Sequence, residues 1–240
     1  MRLKSALGCA IVLAIAIALL ACVTDQMREE IETKRESLHE SHPEIQATDF
    51  RIVNLLVEIG PLDKRRATAG DLRFSEDHYT FRGFGDLGNP NFEFLVHKDA
   101  TVVSPCNGVV TRLIYQEDTD DYEIFIRPTM WSPWRASIDH VVDLTIQLGD
   151  QVVGGQEIGR PQPLPRGLGR VELQINNDDL RYYYAPFALF EETLRSQFES
   201  QIWQLMSDIE TFTRDFGRYS EWRMIFGGCY DIVIPETGPV

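Results

Sequence analysis

Hydrophobic and polar positions change their spacing several times along the chain. Residues 6–20 form an almost unbroken apolar run, and a polar stretch follows, in which we expect an exposed helix or tether ending at Pro43. The apolar positions of Phe50–Ile59 would share one broad face of a helix, which Asp49 could cap and Gly60 would end. The first quarter of the chain is therefore predicted to form helices, or an extended tether in its polar part.

From about Leu72 the pattern becomes one of short alternating runs and glycine turns. Tyr122–Arg127 and Arg170–Ile175 alternate apolar with polar residues and predict β-strands. The acidic run Glu117–Asp121 lacks the glycine and the distal glutamate of a calcium-binding loop, so we interpret it as a solvated hairpin tip. After Pro186, apolar residues three or four positions apart predict an amphipathic helix of about thirty residues. Short strands are expected at 224–226 and 231–234.

Composition is that of an ordinary globular protein. The chain has 240 residues, of which 43% are hydrophobic and 25% charged, with 37 acidic and 23 basic side chains. The net charge of −14 excludes a protein that binds a nucleic acid backbone, because such proteins cluster lysine and arginine. The pattern predicts four segments, namely 1–21, 22–70, 71–185 and 186–240.

The N-terminal segment resembles the signal peptide of a bacterial lipoprotein. Arg2 and Lys4 precede the apolar run, which ends in Leu19-Leu20-Ala21-Cys22. The resemblance implies cleavage after Ala21 and lipid attachment to Cys22. It also implies a place in the cell envelope, on the periplasmic face, with the outer membrane favoured because Val23 is not an aspartate. The alternative is an uncleaved N-terminal anchor helix.

Two further cysteines remain once Cys9 and Cys22 are set aside. Cys106 and Cys229 would lie in an oxidising compartment, where a disulfide between them would stabilise the fold. The sequence leaves a second interpretation open, in which they are two separate buried thiols.

Two segments carry a family resemblance. Asp99–Val110 (DATVVSPCNGVV) and Leu148–Gly159 (LGDQVVGGQEIG) resemble the core motifs of the lysostaphin/LytM-type peptidoglycan endopeptidases. The resemblance covers about residues 85–180. It implies an α+β fold, mainly an antiparallel, barrel-like β domain, flanked here by an N-terminal helical segment and a long C-terminal helix. A similar Gly-Asp hairpin occurs in biotinyl-lipoyl and membrane-fusion adaptor domains, but this chain has no lysine in an exposed hairpin for attachment.

The resemblance also indicates where the catalytic groups of the family would fall. In the family, two histidines and an aspartate bind zinc, and two further histidines assist catalysis. Carried over by position, the zinc ligands fall on Asn89, Glu93 and Glu172, and the assisting histidines on Arg170 and His140. Only His140 keeps the residue type of the family.

The substitutions predict that zinc is absent. Asparagine is a poor zinc ligand, and Arg170 cannot act as a base because it stays protonated. Arg170 and Glu172 lie on the same face of a strand, so we expect Arg170 to pair with Glu93 and Glu172 in place of a metal. The alternative is an altered, carboxylate-rich metal site formed by Glu93, Glu172 and His140, which would suit zinc, iron or manganese.

These observations support three functional hypotheses. The first is a catalytically inactive envelope lipoprotein that binds peptidoglycan or a murein hydrolase, since degenerate members of the family activate murein amidases. The second is an active metalloendopeptidase with changed ligands, in which zinc would be the cofactor. The third is a hairpin adaptor domain of an envelope complex.

Overall fold

A computed structural model describes residues 40–57, 92–184, 186–214 and 233–235, together with the single residues 29, 33, 36 and 37. Several sequence-based predictions fall on other residues and lie outside this description. They are the signal peptide, the lipid on Cys22, Asn89, Cys229 and the strand at 224–226.

The described part of the chain contains a short helix, ten strands and a longer helix. Helix α1 spans Pro43–Ala47, and helix α2 spans Glu192–Thr213. The strands are β1 (Phe92–His97), β2 (Val102–Val103), β3 (Gly108–Gln116), β4 (Asp121–Arg127), β5 (Trp134–Val142), β6 (Gln151–Val152), β7 (Glu157–Pro163), β8 (Leu168–Asn177), β9 (Tyr182–Tyr184) and β10 (Val233–Pro235). Two 3-10 turns, Pro165–Gly167 and Pro186–Leu189, precede β8 and α2.

The strands form one curled antiparallel sheet. Its main path runs β10-β9-β8-β7-β5-β4-β3-β6, with β1 added on β8 and β2 on β7. Strand β5 lies at the centre of the sheet, where it pairs with three strands, β4, β7 and β8. The mainly antiparallel β domain expected from the sequence is therefore present.

The alternating segments form strands as predicted. Tyr122–Arg127 lies within β4, and Arg170–Ile175 lies within β8. The Gly-Asp segment contributes β6 and β7, but these two strands pair with different neighbours, β6 with β3 and β7 with β5, β8 and β2. Gly108 has to be a glycine, because a Cβ there would lie 2.2 Å from the carbonyl oxygen of Arg127.

The predicted helix at Phe50–Ile59 is wrong over its described part, 50–57. The backbone there bonds to neighbouring segments: the amide of Ile52 donates to the Leu189 carbonyl, and that of Val53 to the Pro105 carbonyl. Leu56 has a positive φ of 60°. The apolar side chains are buried as expected, but tertiary hydrogen bonds take the place of helical ones.

The C-terminal helix is shorter than the sequence pattern predicts. It begins at Glu192 rather than near Phe187 and has 22 residues rather than about thirty. The preceding apolar residues form a 3-10 turn, and the buried Arg195 donates to the carbonyl of Phe187 at 2.6 Å. Residues 40 and 41 are helical and His42 is not, so a helix ends directly before Pro43 as the sequence predicts, and Pro43 also begins α1.

Aromatic rings attach the flanking segments to the sheet. Phe50 stacks on Trp134 with ring centroids 6.2 Å apart, and Trp134 lies 4.7 Å from the ring of Tyr184. Phe187 contacts Phe92 of β1 at 4.8 Å. One core therefore lies between the sheet, the segment 50–57 and the turn before α2. Among the described residues, we find no helix with the length and apolar character needed to cross a membrane.

Candidate functional site

Three carboxylates lie side by side across three neighbouring strands. Glu172 of β8 is the direct register partner of Asp139 in β5 and of Glu93 in β1. Glu93 and Glu172 are buried, and Asp139 is half-buried. Like charges directly opposite each other destabilise a sheet, so this row needs compensating cations.

Arg170 supplies one of these cations. Its Nε lies 3.1 Å from Oε1 of Glu93 and forms an ion pair with it, without the geometry of a hydrogen bond. One of its terminal nitrogens donates a hydrogen bond to Oε1 of Glu172. The side chain of Arg170 is 31% exposed, whereas each carboxylate partner is 7% exposed. The guanidinium therefore covers two buried carboxylates from the solvent side.

His140 supplies the second cation. Its Nδ1 lies 2.8 Å from Oδ2 of Asp121, and its Nε2 lies 3.5 Å from Oε1 of Glu172 and 3.7 Å from Oδ2 of Asp139. His140 sits near the end of β5 with a positive φ of 63°, and its amide is held by the Asp139 carboxylate at 2.8 Å. Both ring nitrogens therefore face carboxylates.

The electrostatics of the site favour the charged forms of His140 and Glu172. Burial lowers the pKa of His140, but Glu172, Asp121 and Asp139 outweigh burial, and the pKa is raised overall. Burial raises the pKa of Glu172, but His140 and Arg170 outweigh it, and this pKa is lowered overall. The pKa of Asp139 is raised, chiefly by burial and also by the neighbouring Glu172 and Asp121. The protonated form of His140 and the ionised form of Glu172 are therefore both favoured.

Asp121, like Asp139, is a site residue that sequence reasoning missed. It was expected in a solvated hairpin tip, but its side chain is fully buried at the start of β4. Thr119 donates to its Oδ1 at 2.8 Å, while His140 faces its Oδ2. The signal was the position of Asp121 directly before the alternating strand, where its side chain joins one face of that strand.

The polar face continues along β5 and β8, beyond the residues predicted from the sequence. Arg135, Ser137 and Asn176 are buried, and Arg135 donates to the hydroxyl of Ser137. The guanidinium of Arg135 also lies 4.2 Å from the centre of the Phe125 ring. The amide nitrogen of Asn176 is buried and has no hydrogen-bond partner. These residues extend the site from a cluster into a polar stripe.

The residues in the family's metal positions do not fit a zinc centre. The Oε1 atoms of Glu93 and Glu172, which would face a metal ion, instead face the guanidinium of Arg170. A second grouping, Asp121 with Asp139 and His140, has ligand atoms within 4.8 Å of one another. There the Asp121 carboxylate is already engaged by Thr119 and His140, so the grouping is explained without an ion.

The remaining histidines of the described residues, and Cys106, lie away from this cluster. His97 ends β1 and faces Asp99 at 3.6 Å, and His42 bonds to Glu44 at 3.0 Å. Cys106 is buried in the core, and burial raises the pKa of its thiol to about 12. Its pairing with Cys229 stays a prediction, because Cys229 lies outside the described residues.

Comparison with known proteins gives likeness at the level of structure alone. No protein-family model matches the chain, and no curated protein matches it. Among solved structures it is similar to the catalytic domain of the antimicrobial peptidase lysostaphin from Staphylococcus simulans, at 17% identity and a TM-score of 0.33, covering 42% of this chain and 79% of that one.

Two other solved structures are similar over a smaller share of their own length. A putative M23 peptidase from Pseudomonas aeruginosa has 16% identity and a TM-score of 0.33, with 63% of this chain and 58% of that chain covered. A zinc-containing peptidase from Vibrio cholerae has 16% identity and a TM-score of 0.32, with 42% and 32% covered. At these values the likeness says nothing about the chemistry of this chain, which depends on its own side chains.

Proposed function

We propose that the protein is a cell-envelope lipoprotein whose LytM-like domain is catalytically inactive and binds peptidoglycan. The observation that carries this proposal is the position of Arg170. Its guanidinium forms ion pairs with the carboxylates of Glu93 and Glu172, which stand at positions that bind zinc in the family. A fixed positive charge at that point opposes the binding of a divalent cation.

The state of His140 supports an inactive site. A general base must accept a proton from water, and an imidazole does so through a ring nitrogen that carries no proton. Both nitrogens of His140 face carboxylates, and the pKa of the ring is raised. The carboxylates therefore favour the protonated ring, and a protonated ring has no lone pair to accept a proton from water.

The polar stripe offers a surface for binding even if the site does not catalyse a reaction. Asp139 is 28% exposed at the edge of the cluster, and Gln174 is half-buried between the cluster and Asn176. Peptidoglycan offers amides, hydroxyls and charged peptide groups that such a stripe could hydrogen-bond. The lipid expected on Cys22 would keep this face near the wall.

The proposal is tested with purified sacculi and the full-length protein. We expect cosedimentation with sacculi and no release of soluble muropeptides. Asp139→Asn removes a partly exposed charge from the cluster and should weaken binding. Asp179→Asn, on the exposed turn between β8 and β9, serves as the matched control and should bind like the wild type.

Three outcomes would contradict the proposal. Release of muropeptides that disappears in His140→Ala would show an active endopeptidase. A protein that does not sediment with sacculi, but changes the activity of a purified murein hydrolase, would make the hydrolase the partner instead of the wall. Copurification with an envelope transporter would favour the adaptor hypothesis.

A further inference from the structure

Three apolar side chains protrude from neighbouring loops at one end of the sheet. Trp131 is 91% exposed and Met130 is 45% exposed, both in the loop 128–133 between β4 and β5. Leu180, which is 43% exposed, lies in the turn between β8 and β9. We call Met130, Trp131 and Leu180 the loop patch. Large exposed side chains grouped in this way mark interaction sites.

The two loops are fixed to each other. Arg127 donates to the carbonyl oxygen of Ser132 at 2.5 Å and forms an ion pair with Asp178. The amide of Asp178 donates to the Pro133 carbonyl at 3.0 Å, and Arg135 holds the same aspartate at 2.8 Å. The loop patch therefore lies on two loops that hydrogen bonds and ion pairs hold together at one end of the sheet.

The chemistry around Trp131 suits a lipid surface better than a glycan. The loop 128–133 (PTMWSP) contains no charged residue, in a chain of which 25% is charged. The hydroxyl of Ser132 is taken by the amide of Trp134 at 3.2 Å, and two arginines neutralise Asp178. Within this loop only Thr129 and Ser132 carry polar side chains that could bond to sugar hydroxyls, whereas Trp131 and Met130 suit the membrane interface. Asp179 and Arg181 are exposed on either side of Leu180 in the neighbouring turn.

The N-terminal segment reaches the domain at this same end. The ring of His42 lies 5.8 Å from that of Tyr182, which directly follows the turn of Leu180. About 20 residues separate His42 from Cys22, a reach of about 30 Å as a helix and about 70 Å when extended. A lipid on Cys22 would thus hold the bilayer within reach of the loop patch.

We infer that the loop patch is a second membrane contact, which inserts Trp131 into the interface of the bilayer that anchors Cys22. The inference rests on the lipid anchor of the proposed function. It turns one end of the sheet toward the membrane. The opposite end of the long hairpin strands, with Tyr115 and Asp121, then faces away, because the seven residues of β4 separate the two ends by about 20 Å.

The test uses the protein expressed from its full sequence and purified after processing by the cell. It is mixed with phosphatidylcholine vesicles that contain lipids brominated on the acyl chain. Bromine quenches tryptophan that enters the interface. We expect quenched emission in the wild type and loss of that quenching in Trp131→Phe. The double variant Met130→Ser/Leu180→Ser should reduce the quenching. Tyr115→Ser, an exposed aromatic residue at the other end of the sheet, is the control and should leave it unchanged.

Mass spectrometry of the N-terminal peptide separates the possible failures. An unmodified Cys22 would overturn the anchor and the loop-patch inference with it. A lipid-modified Cys22, together with equal quenching in the wild type and Trp131→Phe, would overturn the inference alone. Loss of sacculus binding in Trp131→Phe, without a change in quenching, would assign the patch to glycan and also contradict a membrane contact.

Discussion

The imidazole Nδ1 of His140 lies 2.8 Å from Oδ2 of Asp121, and the Asp121 side chain is fully buried. This pair joins the start of β4 to the end of β5 and turns the other ring nitrogen toward Glu172. His140 thereby lies in a row of carboxylates that favours its protonated form. We propose that its role differs from that of a histidine that activates water.

The first prediction concerns the titration of His140. Glu172→Gln removes a carboxylate that raises the pKa of the ring, while the burial that lowers this pKa remains. We expect the pKa of His140 to lie above 6.5 in the wild type and to fall in Glu172→Gln. NMR titration of the imidazole measures both. Asp178→Asn removes a carboxylate outside the cluster and should leave the titration unchanged, and an equal pKa in all three proteins would contradict the account.

The second prediction concerns the dependence of stability on pH. The folded-state pKa of His140 is raised, so its stabilising contribution is complete below about pH 6.5 and is lost as the pH rises through the folded-state pKa. The folded-state pKa of Glu172 is lowered, so its contribution is present above about pH 4.5 and is lost as the pH falls through that pKa. Urea unfolding across this range should show both losses.

A matched variant separates the two contributions. His140→Gln should lose the decline that the wild type shows on the alkaline side. An alkaline decline of the same size in His140→Gln would assign that decline to another group.

The third prediction concerns Arg170. Arg170→Ala leaves the buried carboxylates of Glu93 and Glu172 without their cation, and we expect a loss of about 3 kcal/mol in the free energy of unfolding. Arg160→Ala breaks an exposed pair with Glu157 at 2.7 Å and should cost less than about 1 kcal/mol. Chemical denaturation measures both. Equal, small losses would mean that the cluster does not depend on Arg170.

The fourth prediction tests the segment 50–57. A Cβ at Gly154 would lie 2.0 Å from Cγ2 of Val53, which packs against the turn between β6 and β7. We expect Gly154→Ala to cost about 1–3 kcal/mol through overpacking. The double variant Gly154→Ala/Val53→Ala removes the clash and should recover most of the loss. Without recovery, the segment would not pack on the turn as described.

Parts of the fold could be predicted because they depend on local pattern. The alternation at Tyr122–Arg127 and Arg170–Ile175 reflects one buried face of a strand, and these strands are present. The helix over Phe50–Ile59 failed for a physical reason. Its apolar positions fit a helix, but the backbone of Ile52 and Val53 finds partners in Leu189 and Pro105, which are distant in sequence.

The site shows the same division. The resemblance to the endopeptidase motifs indicated Glu93, Arg170 and Glu172, and the ion pairs expected among them are present. Asp121 could not be found in this way, because only the pairing of β4 with β5 brings it to His140. Its place in an acidic run made a solvated turn the simpler interpretation.

We infer that Arg170 takes the place of a metal ion, and the zinc content of the full-length protein after incubation with zinc and gel filtration tests this directly. We expect zinc far below one ion per chain, with no change in Glu172→Gln. Close to one zinc per chain, lost in Glu172→Gln, would contradict it.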